Sequence, residues 1–169
     1  MKFVLIDRIV ELQRDRRIVS EKALTLAEEY LADHFPTFPV MPGVLMLEAM
    51  VQSAAWLARV STDFSASLVT LAEARNVTYK SFVAPGRVLE LRVDAVRIEP
   101  GGSEFRGVGV CGDREMVKAQ LRLRHGNLAE KDKALAELDA TLIDQARRQF
   151  ELLRGPAALA GTAAGPAPR

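Results

Sequence analysis

The sequence predicts an α+β domain, a curled antiparallel sheet wrapped round one long central helix, with an added C-terminal helix. Three observations predict it. Residues 43–60 have helical length and composition, yet their apolar side chains go all the way round instead of forming a stripe, which marks a helix buried on most sides. Short apolar, β-branched segments bounded by turn residues lie before and after it, as strands should. Two strands, a buried helix and then four consecutive antiparallel strands are satisfied by a sheet that curls round that helix.

The elements follow in order. Phe3 to Leu12 is apolar and β-branched, and the charged run Arg14-Asp15-Arg16-Arg17 separates it from Ile18-Val19. That reads as two strands joined by a polar turn, with partial helix possible over Ala23 to Tyr30. From Asp33 to Pro42 the prolines 36, 39 and 42 forbid helix and impose an extended loop. After the central helix, Leu68–Leu71 and Val77–Val83 read as strand segments leading to a turn at Ala84-Pro85-Gly86. Val88–Val96 largely alternates apolar and polar, Pro100-Gly101-Gly102 is a hairpin turn, and Phe105–Val110 and Met116–Leu123 complete the strands.

Ala129–Arg154 is rich in strong helix formers. Leu135, Leu138, Leu142, Ala146, Phe150 and Leu153 recur there at helical spacing, so the segment is an amphipathic helix. Its stripe is expected to pack across the outer face of its own sheet or against a neighbouring subunit. Gly155-Pro156 is expected to end it. The expected division is a domain over 1–127, the helix over 128–154 and a disordered tail over 155–169, where little can be buried.

Lys plus Arg number 23 and Asp plus Glu 22, a net charge of +1, which leaves no footprint for nucleic acid. The single cysteine, Cys111, excludes an internal disulfide, and with two histidines no metal site is expected. No redox cofactor is expected either. The first residues meet Asp7-Arg8 too soon for a signal peptide, and no unbroken apolar run reaches the roughly 18 residues of a membrane span. The cytoplasm is the expected location.

Two residues are out of place on physical grounds. Glu48 lies in the middle of the buried helix, where an unpaired carboxylate is costly, and Gln52 sits four residues later on the same face. They must line something polar, a cavity or an interface. His34 opens the proline-punctuated loop that leads to Gly43, the first residue of the helix. Free backbone N–H groups gather there, and a glycine lets a ligand oxygen approach closely. A base, an acid and an oxyanion donor suit removal of a proton next to a carbonyl with expulsion of a leaving group.

The segment His34-Phe-Pro-Thr-Phe-Pro-Val-Met-Pro-Gly-Val-Leu-Met-Leu-Glu48-Ala-Met-Val-Gln52 resembles the active-site segment of the 3-hydroxyacyl-acyl carrier protein dehydratase family (FabZ/FabA type), which has the hotdog fold. The spacing is the same, with one departure, Thr37 where the family has glycine. Val4-Leu-Ile-Asp-Arg-Ile9 and Arg75–Val88, with Tyr79-Lys80, Phe82 and Pro85-Gly86, resemble its flanking segments, so the resemblance covers residues 4 to 124. It implies that His34 is the catalytic base, Glu48 the catalytic acid and the Gly43 N–H the donor to the thioester carbonyl. Val40, Pro42, Val44 and Gln52 are then expected to line the substrate.

The implied reaction is dehydration of (3R)-3-hydroxyacyl-acyl carrier protein to the trans-2-enoyl product, with acyl carrier protein as partner. His34 alone could make both proton transfers, with Glu48 orienting water. Relatives that also isomerise the double bond carry Asp at the Glu48 position, which favours plain dehydration. In the family the two catalytic residues come from different subunits and two sheets join edge to edge, so a homodimer or a trimer of dimers is expected. A hotdog thioesterase or enoyl hydratase, and a non-catalytic acyl-binding homologue supporting a partner dehydratase, are the alternatives. The family's short N-terminal helix has no match here, and the helix from Ala129 has no usual counterpart. Lys80, Arg87, Lys118, Arg122 and Arg124 are ordinary strand charges that as a patch could dock an acidic carrier protein. Trp56 and Met50 are expected to fill the core, although one could line an acyl tunnel. His125 is expected on the surface and Cys111 in the core.

Overall fold

The computed structural model describes residues 4–163. Six strands form one antiparallel sheet: β1 (Arg8–Gln13), β2 (Arg17–Ala23), β3 (Leu68–Tyr79), β4 (Val88–Glu99), β5 (Gly102–Cys111) and β6 (Arg114–Gly126). Their spatial order is β1-β2-β4-β5-β6-β3. Helix α1 (Gly43–Ser61) lies against the concave face, and α2 (Ala136–Leu152) and α3 (Gly155–Ala163) follow the last strand. The expected α+β sheet round a central helix is what forms.

Alternation along the strands decides which face curls inward. Leu89, Leu91 and Val93 of β4, Phe105 of β5 and Val117, Ala119, Leu121 and Leu123 of β6 are buried against Met46, Met50 and Leu57 of α1, while the intervening charged residues face out. Gly107 of β5 sits where a Cβ would lie 2.3 Å from the Met50 sulfur, so only glycine lets the helix come this close to the sheet. Ser53, on the sheet side of α1, is satisfied by the Ser20 hydroxyl of β2 at 2.9 Å, as a buried polar group requires.

Several expected boundaries shift. The two segments around Leu68 and Val77 are one twelve-residue strand; Val83 lies beyond it, buried in the following loop. The helical tendency of Ala23–Tyr30 yields only a 3-10 turn at Glu29–Leu31. His125 is not on the surface. It is buried, and its Nε2 meets the Ser103 hydroxyl at 2.8 Å. Burial, reinforced by the nearby Arg59 charge, pushes its pKa below the usual imidazole range.

The C-terminal segment docks on its own chain at the edge of the sheet, not across its outer face. It covers the C-terminal end of α1 and the outer edge of β1, where the Ile9 amide donates to the Leu153 carbonyl at 2.8 Å. Phe150 packs between Trp56 (6.0 Å between ring centroids) and Phe64 (5.7 Å), a burial worth about 1.5–3 kcal/mol. Leu138, expected in the apolar stripe, is exposed, and the position it was to anchor is taken by its neighbour Asp139. That buried carboxylate accepts from the Ser67 hydroxyl and from the Leu128 and Ala129 amides. Burial raises its pKa, but these three hydrogen bonds outweigh it and hold the group below the usual carboxylate range.

The expected disordered tail from Gly155 is corrected for residues 155–163, which form α3; residues 164–169 lie outside the described residues. α2 ends earlier than expected, at Leu152, and Arg154 turns the chain at a φ of 62°; Gly155-Pro156 instead opens α3, since proline suits the first turn of a helix and Ala-rich sequence continues it. Gly155 is indispensable: a Cβ there would lie 2.0 Å from the Phe150 ring. Alanine is the better helix former, yet Gly155→Ala is predicted to destabilise the protein by about 1–3 kcal/mol through overpacking. Thermal unfolding checks this; a raised melting temperature would refute the packing described.

The two edges of the sheet differ. β1 is covered by the α2–α3 segment, whereas none of the twelve residues of β3 is buried. Leu68, Leu71 and Tyr79 stand exposed along it. A long open edge of this kind invites pairing with another strand.

Candidate active site

The loop before α1 is held closed by its own backbone. The Val40 amide donates to the His34 carbonyl at 3.1 Å, and Phe35 and Phe38 exchange backbone bonds at 3.3 and 3.0 Å. Met41 ties the loop to the sheet domain through the Val83 carbonyl at 2.9 Å. Thr37, the departure from the family pattern, is exposed, and its φ is outside the left-handed region. A β-branched residue therefore fits there without backbone strain.

His34 is oriented by the same loop. Its Nδ1 lies 2.9 Å from the Val40 carbonyl oxygen. A carbonyl only accepts, so Nδ1 carries the hydrogen and the neutral ring keeps its lone pair on Nε2. The Val40 side chain is wholly enclosed in the core, and its carbonyl sets the histidine tautomer.

At the start of α1, the Leu45 and Met46 amides turn back to the Pro42 carbonyl at 2.9 and 3.2 Å. Gly43 and Val44 come too early for a helical acceptor, so their N–H groups belong to the free donors of the first turn. The Tyr79 ring lies against Gly43, 3.1 Å from where a Cβ would be. Tyr79 was visible in the sequence only as part of a flanking segment; its closeness to Gly43 needs the β3 register and was not foreseen.

One turn further along, a second relay fixes the acid. The Leu5 amide donates to Gln52 Oε1 at 3.0 Å, and Gln52 Nε2 donates to Glu48 Oε1 at 3.0 Å. The backbone N–H can only donate, so it settles which way the Gln52 amide points. Glu48 Oε1 is then an acceptor, and any proton on this carboxyl sits on Oε2. Glu48 was expected to be buried; within the chain it is half-buried, because its side of α1 is not covered by the sheet.

Among the described residues no hydrogen bond or ion pair joins His34 to Glu48. Around both lies an exposed apolar rim of Phe35, Phe38, Val44, Tyr79 and Phe82, in which Phe38 and Phe82 meet edge to face at 5.9 Å. Pro42 is half-buried beneath it. Of the five basic residues considered as a patch, Lys80 is paired with Glu115 at 2.9 Å and Arg122 with Glu73 at 3.1 Å.

A hotdog domain with a histidine loop leading into an acid-bearing helix defines the class. Residues 1–120 match the family model of the FabA-like domain, and the chain belongs to that family. A Variovorax paradoxus protein named 3-hydroxyacyl-[acyl-carrier-protein] dehydratase FabZ is 38% identical over 122 residues, 70% of this chain and 81% of the relative. A Pediococcus pentosaceus protein of the same name is 32% identical over 130 residues, 77% and 87% of the two chains. The dehydratase heterocomplex ApeI:P from Xenorhabdus doucetiae shares the fold at a TM-score of 0.64 and 18% identity, covering 79% of this chain and 90% of its own. A Streptococcus mutans protein bound to acetyl-CoA does so at 0.57 and 11%, covering 74% and 92%. No described helix is long and apolar enough to cross a membrane.

The histidine geometry makes a direct prediction. Nitrogen NMR of labelled histidine at a pH where His34 is neutral will show the Nδ1–H tautomer. An Nε2–H tautomer would mean that Val40 does not orient the ring, and that no lone pair faces the site.

Proposed function

We propose that this protein dehydrates (3R)-3-hydroxyacyl thioesters carried on acyl carrier protein to trans-2-enoyl thioesters, as the names of its FabZ relatives indicate for them. The observation that carries the catalytic roles is the His34 Nδ1 bond to Val40, which leaves the Nε2 lone pair free to act as a base. The Gly43 N–H receives the thioester carbonyl and acidifies C2. Nε2 of His34 removes the C2 proton, and the electron pair forms the C2–C3 double bond. The C3–O bond breaks, Oε2 of Glu48 gives its proton to the departing oxygen, and water leaves. Transfer of the proton from His34 back to Glu48 through solvent restores the site.

The working unit in this reading is a homodimer in which His34 of one chain faces Glu48 of the other. Three features support it: the open β3 edge, the exposed rim round His34, and the half-burial of a carboxyl whose side of α1 lacks a cover. Pairing along β3 would remove the edge, bury the rim and enclose Glu48 in one step.

The test is turnover of 3-hydroxyacyl-acyl carrier protein. His34→Ala and Glu48→Gln are each expected to lower kcat by about 100-fold or more while the circular dichroism spectrum stays unchanged, on the scale of a lost general base or acid. Turnover within tenfold of wild type for either variant would remove that residue from its assigned role.

A further inference from the structure

Gly43 opens α1, yet it is not among the glycines of positive φ, so its conformation is one that any residue can adopt. The reason for glycine is room. A Cβ at Gly43 would lie 3.1 Å from Cδ1, 3.2 Å from Cε1 and 3.4 Å from Cγ of Tyr79. One edge of the phenol ring occupies the space that a side chain would take.

That position bears on the chemistry. In an α-helix each Cα–Cβ bond leans toward the helix N-terminus, and the free N–H groups of the first turn point the same way. Tyr79 therefore flanks the space in front of the Gly43 amide, where the reaction proposed above sets the thioester carbonyl. His34, Gly43 and Tyr79 belong to one chain, so this half of the proposed two-chain site lies within a protomer.

Tyr79 is held from the side of the sheet. It is the last residue of β3 and stands opposite Val117 of β6. The next residue, Lys80, donates its amide to the Met116 carbonyl at 2.8 Å, and its ammonium group pairs with Glu115 at 2.9 Å. The sheet thus carries the ring, and α1 begins against it. Tyr79 is 45% exposed within the chain, so much of the side chain remains open to a ligand. Burial of the rest pushes its pKa above the usual phenol value. The phenol is therefore uncharged at neutral pH and puts no anion beside a developing enolate.

We propose that Tyr79 is a positioning residue for this reaction: its ring walls the space beside the Gly43 amide, holds the thioester carbonyl on that donor and keeps water from competing for it. The proposal rests on the dehydratase reading. A hydrogen bond to a developing oxyanion strengthens as water is excluded. The wall therefore acts on the transition state more than on substrate binding, and it is the ring that acts, not the hydroxyl.

The experiment measures kcat and KM for 3-hydroxybutyryl-acyl carrier protein in wild type, Tyr79→Phe, Tyr79→Leu and Tyr79→Ala, with sedimentation to compare oligomeric state. Solvent exchange of the Gly43 amide, followed by NMR, gives a readout that needs no turnover. Tyr79→Phe keeps the ring and is expected to preserve both kcat and slow exchange. In Tyr79→Leu and Tyr79→Ala kcat is expected to fall at least ~10-fold while KM changes less than ~3-fold, the pattern of a lost transition-state interaction. Gly43 exchange is expected to quicken in the same two variants. Tyr79→Leu keeps apolar bulk at the strand end, so it reads the ring even where Tyr79→Ala weakens the fold. Wild-type kcat or unchanged Gly43 exchange in Tyr79→Leu, a loss confined to KM, or a Tyr79→Phe as slow as Tyr79→Ala would each overturn the wall while leaving the dehydratase reading intact. Wild type with no turnover would overturn the dehydratase reading itself, and the wall with it.

Discussion

A helix that is apolar on nearly every side is stable in water only when something wraps it, and α1 sets that demand for the whole chain. The six-stranded sheet meets it by curling, with Gly107 admitting Met50 so that the helix sits close. The wrapping is incomplete along the stripe from Val44 to Arg59, and there the polar residues Glu48 and Gln52 are found. The same helix offers its N-terminal amides beside His34. The packing constraint and the chemistry meet on one element, since the face that the core does not need is the face available to a substrate.

His34 and Glu48 are both oriented by backbone atoms. The Val40 carbonyl sets the tautomer of His34, and the Leu5 amide, through Gln52, sets which oxygen of Glu48 is free to carry a proton. Backbone groups cannot exchange donor for acceptor, so each relay has one solution. This explains why the prolines of the loop matter: they hold the chain so that Val40 returns to His34.

Much of this was legible in the sequence because it depends on local spacing. The all-round apolar helix, its polar pair four residues apart and the three-proline loop each follow from periodicity or from proline stereochemistry. What was missed depends on contacts distant in sequence. That the Val40 side chain turns into the core, leaving its carbonyl for His34, only the fold shows. His125 looks like a surface residue at a strand end until Ser103 is placed opposite it in the β5–β6 hairpin. Asp139 interrupts an apolar stripe and looks like a solvated charge; its partners Ser67, Leu128 and Ala129 come together only once α2 has docked. Gly155-Pro156 was read as a stop but is a start: α2 ends at Leu152, the chain turns at Arg154, and the two residues open α3.

In the proposed dimer each site is assembled from two chains, and subunit mixing tests that most directly. His34→Ala and Glu48→Gln proteins, each inactive alone, would be combined under conditions where subunit exchange is verified with mass-tagged chains. In a dimer of twofold symmetry, each hybrid carries one site with both substitutions and one with neither. A two-chain site predicts recovery of about a quarter of wild-type turnover in an equal mixture, since about half the dimers are hybrids. Verified exchange with no turnover above that of the two variants alone would contradict it, placing His34 and Glu48 of each site in the same chain.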